Sequence, residues 1–256
     1  MNKNRFNNYL EIPLRFGRPF QNKNIIKTNC HNNSTTTLNP KSMVSWNIQG
    51  IIFFTNQSKI RHIINKLKEI DADIICLQEV FEDSIKDEIV SELSSIYPYY
   101  LLGDTTKKYI LCEDSGLLIL SKMNIVFEKE IHLEGCKRFD RFSNKSMVYF
   151  KVGEYNFVTT HLQSSNNNIT SIQLQDIINK SPFQNFIIVG DLNHPDAHSI
   201  INTENNNKEN TYKNSILDYI IPIQYNNIQL DIKVLNFDIS QMTDHLPIYS
   251  KFSFNQ

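Results

Sequence analysis

Acidic, amide and imidazole side chains recur in this 256-residue chain at the points where short apolar runs give out. Asn47 follows the run that ends at Trp46, Glu79 the run that ends at Leu77, and His161 closes a third. Asp191 and Asn193 come after a fourth, Asp218 opens a fifth, and Asp244 with His245 stands just before a sixth. Residues at strand ends can converge from distant parts of a chain into one pocket at the rim of a sheet. These residue types suit hydrolysis of a phosphate ester. Glu79 and Asp244 are hard oxygen ligands of the kind that hold Mg²⁺ with several waters left on the ion. A cation so held polarises phosphoryl oxygens and stabilises developing charge. Asp191 and Asn193, two apart on an extended strand end, are expected to point the same way. His245 has a proton affinity suited to general-base work near neutral pH.

Taken singly, each residue has a plainer explanation. An Asp or Asn after a strand commonly hydrogen-bonds its own backbone in a turn, a terminal Glu is commonly a solvated charge, and an isolated His is commonly structural. Asp218 could simply pair with a neighbouring cation. What points to a site is the whole set in order.

The elements that must position this set are mostly strands. Apolar runs over residues 43–46, 73–77, 116–120, 147–152, 157–160, 186–189, 217–221 and 247–252 predict eight of them. Ser58 is placed to cap a helix whose Ile60, Ile63, Ile64 and Leu67 share one face. Ile85, Ile89, Leu93 and Ile96 form a second stripe, and Ile169, Ile172 and Ile177 a weaker third. Helices and strands do not alternate regularly after residue 98, which argues against a doubly wound parallel sheet and for a mixed α/β sandwich. The Asn clusters at 166–168 and 205–207 read as surface loops.

Composition narrows the partners. The formal net charge of −1 gives no global pull toward nucleic acid or an anionic membrane, so a negatively charged substrate needs local features such as a metal. Cys30, Cys76, Cys112 and Cys136 form no CxxC pair, against a zinc site or a dense disulfide framework, and Cys76 reads as core. No apolar stretch approaches the roughly 20 residues that span a bilayer, and no secretory signal is evident. Residues 1–42 are polar and Asn-rich and read as a flexible extension, with the catalytic domain expected over 43–256. An intracellular, cytoplasmic monomer is the default expectation. The basic extension, with Glu11 its one acidic residue, also admits an organellar targeting peptide.

The succession WNIQG (46–50), LQEV (77–80), THLQ (160–163), GDLN (190–193), LDYI (217–220) and TDHLP (243–247) resembles the endonuclease/exonuclease/phosphatase superfamily. That group includes DNase I, abasic-site endonucleases, inositol polyphosphate 5-phosphatases, deadenylases and neutral sphingomyelinases. The resemblance covers residues 43–252, and GDLN with a downstream TDH carries most of it. It implies a DNase I-like fold, a four-layer sandwich of two packed mixed or antiparallel β-sheets flanked by helices. It further implies that Glu79 is the principal ligand of Mg²⁺ (or Mn²⁺), helped by Asn47 and Asp244. By the same resemblance Asp191 orients the attacking water, Asn193 binds the phosphate, His161 donates to the transition-state oxyanion, and Asp218 orients His245. Whether His245 or Asp191 is the base stays open.

Within the superfamily, SGLLILSK (115–122), Asp140, Asn144 and Lys145 ahead of a strand, and THLQ resemble the neutral sphingomyelinases. Ser146 stands where that pattern has Gly, so close backbone approach is not guaranteed there. This implies cleavage of sphingomyelin or a related phospholipid head group, with peripheral membrane contact through an apolar lip at residues 51–54 (Ile51, Ile52, Phe53, Phe54), a segment that could equally be a buried connection. The alternative substrate is nucleic acid, at an abasic site or a tyrosyl-DNA adduct. Lys107, Lys108, Lys137, Arg138 and Arg141 are then the candidates to meet its phosphates. A soluble phosphoinositide is third, and a non-enzymatic binding protein is disfavoured by the intact set.

Overall fold

The computed structural model describes residues 38–51, 56–106, 113–204, 207–225 and 228–254. Most of the N-terminal extension lies outside these residues. So do Ile52, Phe53, Phe54, Lys107, Lys108, Cys30, Cys112, Asn205 and Asn206.

In chain order the elements are β1 (Ser42–Gly50), α1 (Gln57–Ile70), β2 (Ile74–Val80), α2 (Asp83–Leu93), β3 (Tyr99–Leu102), β4 (Leu118–Ser121) and β5 (Ile125–His132). A 3₁₀ turn (Arg138–Phe142) precedes β6 (Ser146–Val152), β7 (Tyr155–His161), α3 (Asn167–Asn179), β8 (Phe186–Asp191), α4 (Ala197–Ile200), β9 (Asp218–Ile223), β10 (Ile228–Val234) and β11 (Ile248–Phe254). They form a six-stranded sheet ordered β10-β11-β1-β2-β4-β3 and a five-stranded sheet ordered β5-β6-β7-β8-β9.

Strand alternation sorts the side chains into layers. Met43, Ile74, Cys76 and Ile119 of the first sheet meet Val148, Phe150, Phe157, Ile187, Val189 and Ile220 of the second in the central core. Phe150 and Phe157 stack there with centroids 5.3 Å apart. The alternate residues Val44, Trp46, Ile75 and Leu77 face outward onto Ile60, Ile63, Ile64 and Leu67 of α1 and Ile85, Ile89 and Leu93 of α2. On the far side Met147, Tyr149, Ile188 and Ile221 pack under Leu174 and Ile177 of α3. Each such side chain, fully buried, contributes about 1.5–3 kcal/mol. The layering is helix, sheet, sheet, helix, as the resemblance implies.

Local chemistry places the ends of the helices. Asn56, not Ser58, caps α1, its Oδ1 accepting from Lys59 N at 2.8 Å, and Asp71 stops the helix in a left-handed conformation. Asn166 caps α3 by accepting from Ile169 N, so Asn167 and Asn168 form its first turn rather than a loop. Asn is among the strongest capping residues, which the loop reading of this cluster overlooked. Asn207, by contrast, is buried, its Oδ1 accepting from Glu209 N. Ile96 falls beyond the end of α2, and Ile172 is exposed rather than on the buried face of α3. All eight predicted strands form, and β3, β5 and β10 are added to them. No helix among the described residues is long and apolar enough to cross a membrane.

Each sheet contains one parallel pair, β1 with β2 and β7 with β8, and its crossover helix is α1 or α3. Parallel pairing sets the C-terminal ends of both strands side by side. Antiparallel pairing then brings the start of β9 and the chain entering β11 to that same rim.

Candidate active site

The register assembles the second sheet's share of the site. His161 pairs with Asp191, and Asp191 with Asp218, so the last residues of β7 and β8 and the first of β9 stand in a row. Gly190 makes this approach close enough: it has φ +143°, and a Cβ there would sit 2.1 Å from Thr160 O. The first sheet contributes Asn47 and Glu79 from inside β1 and β2, not from beyond the strand ends as expected. Pairing of β1 with β2 shifts register between Asn47 and Gly50, and Glu79 has φ 59°. Bulges of this kind re-aim side chains. Asp191 and Asn193 also depart from the extended geometry expected of them. Asn193 has φ 50° and its N–H donates to Asp191 Oδ1 at 3.0 Å, a tight turn that anchors the carboxylate.

The two sheets meet at Asn47. Its Nδ2 donates to Glu79 Oε1 and to Asp191 Oδ2, both at 3.0 Å, while its Oδ1 accepts from Gln49 N. His161 Nε2 lies 3.6 Å from Asp191 Oδ2 and 3.8 Å from Glu79 Oε1. His245 Nδ1 is 2.8 Å from Asp218 Oδ2, and its Nε2 is 3.8 Å from Asp191 Oδ2. Seven of the predicted residues therefore fall close together. The eighth, Asp244, is exposed at the edge, near enough to act electrostatically on Glu79 and Lys59. Asn193 Nδ2 donates to Leu162 O at 3.1 Å, next to His161.

Burial governs the charges. Glu79 is pushed above its ordinary value by desolvation, and Asp244 adds to this while the hydrogen bond from Asn47 opposes it. Desolvation also pushes Asp191 up, to about 7, with Asp218 adding to the effect. His161 is held neutral by burial, reinforced by the nearby Lys145 and His245. For His245 burial opposes charge, but Asp218 and then Asp191 outweigh it and raise its value to about 10. His161 Nδ1 and Asp218 Oδ1 are buried without a hydrogen-bond partner among the described residues.

Other residues complete the site without having been singled out. Thr243 Oγ1 donates to Asn47 O at 2.8 Å and so ties the TDH loop to β1. Trp46 Nε1 donates to His245 O at 2.9 Å. Lys59 Nζ donates to Gln49 O at 2.7 Å, and the Tyr212 ring lies 4.6 Å from the His245 ring. Thr243 could have been found beside Asp244. Lys59 and Tyr212 carry no local signal that sets them apart.

The donor set fits a divalent cation. Glu79 is raised by burial and by a second carboxylate, so a cation beside it relieves both penalties. Asp191, Asp218 and His245 also offer atoms within 4.8 Å of one another, but Asp218 and His245 already satisfy each other by a hydrogen bond. Glu79 could therefore meet a cation without breaking the Asp218–His245 pair.

Comparison with known proteins agrees with this architecture. No curated protein sequence matches the chain. Among solved structures, sphingomyelinase C from Streptomyces griseocarneus has a TM-score of 0.68 at 18% identity, covering 84% of this chain and 99% of that one. A magnesium-bound mutant of beta toxin from Staphylococcus aureus has a TM-score of 0.66 at 19% identity, covering 83% and 99%. A humanized D. rerio TDP2 has a TM-score of 0.62 at 17% identity, covering 83% and 98%. At these identities the likeness is one of fold. The model of the Endonuclease/Exonuclease/phosphatase family matches residues 44–230, from the first residues of β1 into β10, and the chain belongs to that family.

Proposed function

We propose that the chain is a metal-dependent phosphodiesterase that hydrolyses its substrate by direct attack of water, with a phospholipid head-group ester of the sphingomyelin type as substrate. The observation that carries the reaction type is the convergence of Asp191 on both Asn47 and His245, with Asp218 behind the imidazole. It joins a buried carboxylate cluster to a proton-handling pair across one small space.

Glu79 and Asp244 would hold Mg²⁺ or Mn²⁺, with Asn47 orienting Glu79. The bound cation would supply charge neutralisation at the phosphoryl oxygens. Water attacks phosphorus in line with the leaving oxygen, and its proton passes to the Asp191–His245 pair. The bond from phosphorus to the leaving oxygen then breaks, and the same pair returns a proton to that oxygen as it departs. His161, neutral and buried, presents Nε2 toward the same space and donates to a phosphoryl oxygen. Asn193 keeps its second amide hydrogen for the phosphate, since the other is held by Leu162 O. The converging set holds an Asp–His pair suited to activating water and no serine or cysteine, in keeping with direct attack by water.

The lipid reading rests on the resemblance of the segment before β6 to the neutral sphingomyelinase pattern. Lys145 Nζ donates to Leu162 O at 2.8 Å and pairs with Asp140 Oδ1 at 2.9 Å, which folds this segment against the site. Nucleic acid is the second reading, because Lys137, Arg138 and Arg141 are exposed on the same segment.

The test is one panel. Purified protein with Mg²⁺, and then with EDTA, is assayed on sphingomyelin vesicles, abasic DNA, tyrosyl-DNA, single-stranded RNA and a soluble phosphoinositide, with Asp191→Ala as blank. EDTA-sensitive release of phosphocholine, absent from the blank, is the expected result. Hydrolysis of a nucleic acid alone moves the substrate to the second reading, and activity in the blank removes the mechanism.

A further inference from the structure

The 3₁₀ turn Arg138–Phe142, with Ser143 as its C-cap, is tied to the site through Asp140 and Lys145 and divides its side chains between the protein and solvent.

Asp140 and Ser143 face the protein. Asp140 Oδ2 accepts from Gln163 Nε2 at 2.6 Å and from both N and Oγ of Ser164 at 2.7 Å, and Oδ1 meets Lys145. Ser143 is buried, and its Oγ donates to Asp140 O at 3.1 Å. The flanking backbone is pinned too, Lys137 N donating to Gln163 Oε1 and Phe142 O accepting from Glu113 N, both at 2.7 Å. Arg138 has φ 54°, a conformation that costs energy in a non-glycine residue and is kept by these bonds.

The arginines and phenylalanines of the turn reach solvent to differing degrees. Phe139 is 88% exposed and Phe142 42%, two of the five strongly exposed large hydrophobics among the described residues. Arg138, Arg141 and the adjacent Lys137 are exposed beside them. Arg141 sits over the Phe142 ring at 4.6 Å, the cation alongside the aromatic rather than away from it.

We propose that this turn is an interfacial anchor that docks the site's rim on an anionic phospholipid surface. Phe rings enter the acyl boundary while neighbouring arginines remain at the head-group level, the arrangement long cationic side chains adopt at membrane interfaces. The three cations complement anionic lipid, each contributing on the order of 1 kcal/mol near such a surface, about a fivefold change in partition. A convex turn of five residues presents two rings together, which suits insertion into a fluid surface better than tracking a phosphate backbone. Docking here sets the Lys145 and Leu162 side of the site against the lipid.

The substrate class rests on the lipid reading above, but the docking test does not. Full-length protein is sedimented with phosphatidylcholine vesicles with and without phosphatidylserine, at low and high salt, and the measurement is repeated on Asp191→Ala. Expected is salt-sensitive binding to the phosphatidylserine vesicles in both proteins. Phe139→Ser with Phe142→Ser, and separately Arg138→Glu with Arg141→Glu, should each reduce it by roughly tenfold or more. Hydrolysis of bis(p-nitrophenyl) phosphate should not change, and any fall in thermal midpoint should be confined to the phenylalanine variant, because Phe142 is partly covered. Full vesicle binding by either double variant overturns the anchor, as does absence of binding by the wild type. Loss of binding to a single-stranded oligonucleotide in both variants, with vesicle binding intact, would assign the turn to nucleic acid instead. Hydrolysis failing while vesicle binding stands removes the catalytic reading alone.

Discussion

His245 Nδ1 and Asp218 Oδ2 lie 2.8 Å apart in a buried pair that fixes the imidazole with its other nitrogen toward Asp191. The carboxylate holds the ring's orientation and its charge together. Asp218→Asn keeps the shape and removes the charge, so phosphodiester hydrolysis should fall on the order of 10²–10⁴-fold. The circular dichroism spectrum should be unchanged. Near-wild-type kcat in a folded variant would mean that Asp218 has no part in the reaction.

The same pair makes stability depend on pH. Burial opposes charge on His245, but Asp218 and Asp191 raise its value from 6.5 to about 10 in the folded chain. A raised value means the folded state holds its proton more tightly, so this stabilisation is complete below about 6.5 and is lost as pH rises through about 10. The urea midpoint should therefore decline across that window, more steeply in the wild type than in Asp218→Asn. Equal slopes in the two proteins would contradict it.

Glu79 and Asp191 are both pushed up by burial, so without a cation their ionisation costs stability as pH rises toward neutrality. Mg²⁺ or Mn²⁺ should raise the thermal midpoint at pH 7 and do so less at pH 5, where the carboxylates are more protonated. Glu79→Gln should remove most of the rise. A midpoint indifferent to either ion at pH 7, with calorimetry also silent, would exclude the cation from this site.

Gly190 of β8 sits against the backbone of Thr160 in β7. Gly190→Ala combines a φ of +143° with a Cβ placed on Thr160 O, so it should cost about 2–4 kcal/mol. Hydrolysis should drop as well, because His161 and Asp191 are held in register by that approach. A fully stable, active variant would show that the strands can part without consequence.

Much of this was legible in the chain because burial and chemistry fall on alternate residues. Val44 and Trp46 were apolar enough to mark β1, and the polar residues at strand ends gave the site. β10 was missed although Ile228, Leu230, Ile232 and Val234 alternate cleanly, because its polar partners kept it from reading as an apolar run. β5 was hidden by a register shift between Phe127 and Lys129, which breaks the period of two. The left-handed turn at Glu79 was beyond reach, because a Glu adopts positive φ only where tertiary contacts impose it, whereas Asn193 is of a residue type enriched there and its turn was overlooked. Lys59 was passed over as one polar position in an apolar stripe, yet it is buried beside Gln49.

The five-stranded sheet comes from one unbroken stretch, β5 through β9, whereas the six-stranded sheet closes only when β11 returns to pair with β1, Ser42 opposite Lys251. Contacts this distant along the chain are slow to form. His245 travels with that returning strand, so a refolding molecule can shape its second sheet and still be inert. Recovered catalysis should then require that closure of the chain, so that activity reports a completed first sheet.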